Sequence, residues 1–106
     1  MGTRYQQGRD AEYRAIDDLA LEGWAAERTA GSHGTADVIA WNDRLIRYIQ
    51  IKTFRANKPP SYAKDLKQLQ DLPVPPNGST ELWVRKVGQR GWLDKLIIQS
   101  PKELPA

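Results

Sequence analysis

Counted at about 100° per residue from Glu12, the side chains of Ile16, Leu19, Ala20 and Gly23 share one face, while Arg14, Asp17 and Asp18 occupy the others. The pattern predicts an amphipathic helix that opens between Thr3 and Asp10 and closes at Gly23, with Glu12 inside its apolar stripe. Trp24 to Arg28 has strand length, and Ala30-Gly31-Ser32-His33-Gly34 is loop chemistry. Ala36 to Trp41 and Leu45 to Thr53 are β-rich runs joined across Asn42-Asp43, which predicts a hairpin. Ser61 opens a second helical pattern with Tyr62, Leu66 and Leu69 on one side and Lys64, Lys67 and Gln68 away from it; Pro73, Pro75 and Pro76 end it. Two further β runs, Glu81 to Val87 and Trp92 to Gln99, flank a turn at Gly88-Gln89-Arg90-Gly91, and the tail from Pro101 is expected to fray. The order α-β-β-β-α-β-β predicts an α/β fold, a central mixed β-sheet flanked by helices, in one domain over residues 1–106.

Several polar residues interrupt this pattern. A carboxylate on a buried helix face is costly without a partner, so either something pairs with Glu12, a metal ion being one candidate, or the helix turns far enough for it to reach water. In the second hairpin strand Ile46, Tyr48, Gln50 and Lys52 lie on one face. A hairpin loop of two or four residues sets Asp37 opposite Tyr48 or Gln50 and on that same face; an odd loop turns it away. Together Glu12, Asp37, Gln50 and the main-chain carbonyl of Ile51 offer oxygen ligands, and Lys52 offers a charge to orient water or stabilise a pentavalent phosphate. The bland alternatives are a solvent-facing Glu12 and a Lys52 placed at a strand end for solubility.

Composition narrows the chemistry. There is no cysteine and one histidine, so thiolate sites are excluded and a metal would be held by oxygen, which suits magnesium, with manganese as a substitute. The net charge of +3 is unevenly placed: residues 1–51 hold 6 basic and 8 acidic side chains, residues 52–106 hold 10 and 5. An anionic partner is compatible with that split, as is a plain solvated surface. No run approaches the ~18 apolar residues of a membrane helix and no apolar leader opens the chain, so a soluble intracellular protein without a membrane partner is expected.

The helix with Glu12, the loop Ala30-Gly31-Ser32-His33-Gly34, the strand Asp37-Val38-Ile39-Ala40 and the strand Ile49-Gln50-Ile51-Lys52 resemble the core of the PD-(D/E)XK nucleases. The similarity is greatest to archaeal-type Holliday junction resolvases, also found in phages, and extends from about Gly8 to the last strand. The resemblance implies a restriction-endonuclease-like core, a Mg2+-dependent endonuclease, four-way DNA junctions as substrate and a homodimer. It also implies catalytic roles for Glu12, Ser32, Asp37, Gln50 and Lys52. Ala36 stands where the motif has proline, and Gln50 where it usually has glutamate. An amide still offers a carbonyl oxygen but removes a negative charge, so Gln50→Glu is expected to tighten cation binding.

Phosphate contacts are expected from Arg4, Arg9, Arg28, Arg55, Lys58 and Lys64, with His33 a further candidate. Trp83, Trp92 and Leu96-Ile97-Ile98 exceed what one small sheet face must bury, which leaves apolar surface for a subunit interface or for ordinary packing. Three functions stay open: a junction-resolving endonuclease, a non-catalytic junction-binding module of the same fold, and a repair or restriction-like nuclease acting on other DNA structures.

Overall fold

The computed structural model describes residues 4–29 and 35–103. In chain order the elements are α1 (Arg4–Leu21), β1 (Ala25–Arg28), β2 (Val38–Trp41), β3 (Ile46–Phe54), α2 (Ala63–Asp71), β4 (Gly78–Lys86) and β5 (Asp94–Gln99). The five strands form one sheet in the order β1-β2-β3-β4-β5. All neighbours are antiparallel except β3 and β4, which are parallel and joined by the crossover through α2. This is the mixed sheet and the element order that the sequence pattern predicts.

Alternation along β4 sorts the core into two layers. Trp83 joins Ala15, Leu19, Val38, Ala40 and Ile49 under α1, while its neighbours Leu82 and Val84 join Leu69 under α2. Burying a side chain of this size contributes about 1.5–3 kcal/mol. The buried stripe of α1 runs through Ala11, Ala15 and Leu19, with Ile16 packed beside it. It is thus centred one residue earlier than expected, Ala20 is exposed, and Glu12 sits at its border. The helix closes as its glycine suggests: Gly23 has φ 91° and Trp24 N–H reaches back to Leu19 O at 3.0 Å.

In the hairpin, Trp41 pairs with Ile46, so the loop has the even length that keeps Asp37 on the Gln50 side. Asn42 Oδ1 builds that turn by accepting the N–H groups of Arg44 and Leu45, each at 2.8 Å.

Two boundaries differ from expectation. Strand β4 begins at Gly78 rather than Glu81, because the small polar residues there are buried with partners: Thr80 Oγ1 donates to Leu69 O at 3.0 Å and accepts from Gln99 N–H at 3.1 Å. A Cβ on Gly78 would stand 3.1 Å from Pro75 O, which explains glycine there. Gln99 Nε2 also donates to Leu69 O and Leu72 O at 2.7 and 2.9 Å, closing the C-terminal end of α2. Strand β5 begins at Asp94 rather than Trp92, since Trp92 is used as a strut: Nε1 donates to Asp18 on α1 at 2.8 Å and the ring meets Trp83 edge-on at 5.1 Å. Trp92→Phe keeps an aromatic ring and loses the donor, so denaturant unfolding should show a loss of about 1–2 kcal/mol. Leu96 and Ile98 pack under α2, so of the apolar surplus expected in this segment only Ile97 remains exposed, at 67%, joined by Leu93 at 44%.

Candidate active site

At the end of the sheet where β2 has not yet begun, Asp37 takes over the pairing role of the missing strand. Its N–H donates to Ile49 O at 2.9 Å, and its Oδ2 accepts from Ile51 N–H at 2.8 Å. The N–H and C=O of one strand residue point the same way, so the Ile51 carbonyl also faces the Asp37 side. Burial raises the Asp37 carboxyl from its ordinary 3.8 to about 6; the charges of Glu12 and Asp65 add to this, and the Ile51 N–H and Arg28 oppose it. Asp37 thus senses one carboxylate from α1 and another from α2. Below pH 6 a cation would compete with a proton for it.

Each expected member of the site has a defined surrounding except two. Glu12 does have a partner, Arg28 of β1, whose Nε donates to Glu12 Oε1 at 2.9 Å and whose guanidinium lies 5.0 Å from the Tyr13 ring. Gln50 and Lys52 project from β3 toward α2: Gln50 Nε2 donates to Asp65 Oδ1 at 3.1 Å, and Lys52 Nζ to Asp65 Oδ2 at 2.5 Å. Gln50 Oε1 is buried and has no hydrogen-bond partner among the described residues. Ser32 and His33 lie outside the described residues.

The expected phosphate contacts are spread around this centre. Arg4 and Arg9 belong to α1, and Arg28 is engaged with Glu12. Arg55 and Lys58 line a cleft of about 450 Å³ with Gln7, Thr53 and Phe54. Lys64 lines a second hollow, of about 660 Å³, together with Lys67, Gln68 and Thr35. Asp65 is the site residue that the sequence reading passes over. It carries the signal used for Glu12, a carboxylate at helical spacing within an apolar stripe, here Tyr62, Leu66 and Leu69.

The donor set fits a hard divalent cation: two carboxylates, an unpartnered buried amide oxygen and a main-chain carbonyl, all oxygen. It is lean in charge, for among the described residues no three Asp, Glu or His side chains converge closely enough to hold a metal by themselves.

The fold is a five-stranded mixed sheet with one helix packed on each face. Among solved structures, the Holliday junction resolvase Hjc of the archaeal hyperthermophile Archaeoglobus fulgidus is similar at a TM-score of 0.68 and 21% identity, over 87% of this chain and 73% of that one. No protein-family model and no curated protein matches the chain's sequence. No helix among the described residues is long and apolar enough to cross a membrane.

Proposed function

We propose that the chain is a divalent-metal-dependent DNA endonuclease that acts on four-way junctions as a homodimer, each protomer contributing one nick. The observation that carries this reading is that Asp37 bonds the Ile51 main chain between Gln50 and Lys52, both held by Asp65, with Glu12 and Asp65 within electrostatic reach of Asp37 and the Gln50 oxygen left unpartnered. The similarity of fold to the archaeal resolvase supports it. Glu12, Asp37, Gln50 and Ile51 would hold Mg2+ or Mn2+. Such an ion, when bound, polarises the phosphate and lowers the pKa of water. Lys52 places its ammonium to orient the attacking water or to stabilise charge on the phosphorane, and Asp65 holds it in place. Ser32, Arg4, Arg9, Arg28, His33, Arg55, Lys58 and Lys64 complete the proposed surface; Arg28 acts through Glu12. Phosphate contacts of this kind give affinity that falls steeply with salt and depends little on sequence.

Nicking of a synthetic four-way junction, a flap and a linear duplex in Mg2+ tests the reading. Paired symmetric nicks confined to the junction are expected, and Asp37→Ala or Lys52→Ala should each reduce them by at least about 100-fold. Cleavage that survives both changes would refute the site. The lean charge of the donor set favours one second reading, a module that binds junctions without cutting them; junction binding with no nick in either metal would establish it.

A further inference from the structure

Gln50 presents a puzzle that its own position does not solve. A side-chain amide has an oxygen end and a nitrogen end of equal size, and only the oxygen can face a cation. Something must decide which end faces the site. Asp65, an acceptor on both oxygens when ionised, sits across from the amide: Oδ1 receives Gln50 Nε2 at 3.1 Å and Oδ2 receives Lys52 Nζ at 2.5 Å. The opposite orientation would set the amide oxygen against a carboxylate oxygen, which is repulsive. The remaining atom, Gln50 Oε1, is buried and without a hydrogen-bond partner among the described residues. An unmet buried acceptor is costly unless a ligand completes it.

We propose that Asp65 is a positioning residue that makes Gln50 a usable metal ligand: from α2 it turns the amide oxygen toward the cation and returns to the site the negative charge that a glutamate at position 50 would have carried. One carboxylate serves both functional side chains of β3, since Gln50 and Lys52 lie on the same face and Asp65 takes one donor from each. The same geometry revises the expectation for Gln50→Glu. That single change sets a second carboxylate against Asp65, so it gains little or nothing in cation affinity until Asp65 is neutralised as well.

This inference rests on the metal-nuclease reading, and Mn2+ binding to the DNA-free protein, followed by electron paramagnetic resonance or calorimetry, tests the two separately. Asp65→Asn is isosteric; it keeps a partner for Gln50 but offers both a donor and an acceptor, so the amide is no longer turned one way. Mn2+ affinity should fall about 5- to 20-fold. The double change Gln50→Glu with Asp65→Asn reverses donor and acceptor across the same hydrogen bond, and should restore affinity to the wild-type level or above. In a Lys52→Met background Asp65→Asn should still weaken Mn2+ binding, which separates orientation of the amide from release of the ammonium. If wild type binds Mn2+, Asp37→Ala abolishes binding and Asp65→Asn leaves it unchanged, the positioning role is refuted while the metal site stands. Failure of the double variant to recover affinity likewise refutes it. If wild type itself binds no Mn2+, both readings fall.

Discussion

Glu81→Ala is expected to destabilise the protein by about 3–5 kcal/mol, the size typical of removing one member of a buried ion pair. Glu81 is 4% exposed and answers four donors: Arg47 Nε and Nη2 at 2.7 and 2.8 Å, Trp83 Nε1 at 3.1 Å and Ser79 Oγ at 3.4 Å. Its hydrogen bonds hold the Arg47 pKa above the ordinary guanidinium value, against the opposing effect of burial. Without Glu81, that charge lies stacked 4.7 Å from the Trp24 ring centre with only the weaker, through-space charge of Glu22 to answer it. A loss of this size is a fifth or more of the roughly 5–15 kcal/mol that stabilises a typical domain. Replacing both partners, as in Arg47→Met with Glu81→Leu, should recover most of it, because the desolvation penalty disappears with the pair. Urea titrations of the wild type and the two variants decide the matter; a loss under about 1 kcal/mol in Glu81→Ala would mean that the pair is effectively solvated.

Asp37→Asn should remove nicking by at least about 100-fold and at the same time make the metal-free protein more stable. The amide oxygen that this change introduces can still accept the Ile51 N–H, so the local pairing survives. The Asp37 carboxyl is raised from 3.8 to about 6. A carboxyl raised on folding favours the folded state while it is protonated, below about pH 4, and that advantage is lost as pH climbs through 6. The full shift corresponds to at most about 3 kcal/mol. Screening at a partly exposed group reduces this to about 1–2 kcal/mol. Thermal unfolding of the two proteins should therefore diverge above pH 6, with the asparagine variant higher, and converge near pH 4. Equal melting temperatures at pH 8 would contradict the assigned burial of the charge. An active-site carboxylate that opposes folding until a cation arrives is a local expense borne for function.

The hairpin is the most legible part of the chain, because Asn42 is turn chemistry and the alternation of Ile46 to Lys52 fixes which residues share a face. An even loop then puts Asp37 on the Gln50 face; the sequence leaves that parity open, and the pairing of Trp41 with Ile46 settles it. Glu12 stands out by its place in the stripe, but its partner does not, since Arg28 reaches it from another element and no periodicity within α1 encodes that meeting. Asp65 shows the same stripe signal as Glu12, but its role is hidden for the same reason: its partners Gln50 and Lys52 lie on a strand that α2 meets only once the crossover has closed. The start of β4 is hidden because Ser79 and Thr80 read as loop residues, whereas their hydroxyl hydrogen bonds let them be buried. Local pattern shows which face a residue occupies, and contacts between elements decide what it finds there.

Helix α2 is held differently at its two ends. Its last carbonyls are gripped by Gln99 from the edge strand, while its first turn, which bears Asp65, meets the sheet through the polar contacts to Gln50 and Lys52. The helix is therefore a short rigid link with one end at β5 and its tip at the site. The tip stands about 9 Å from the grip, so a tilt of roughly 5° carries Asp65 about 0.8 Å, the difference between a hydrogen bond and its absence. Gln99, which touches none of the site's charged groups, thus helps fix the seat of the helix whose first turn holds Lys52.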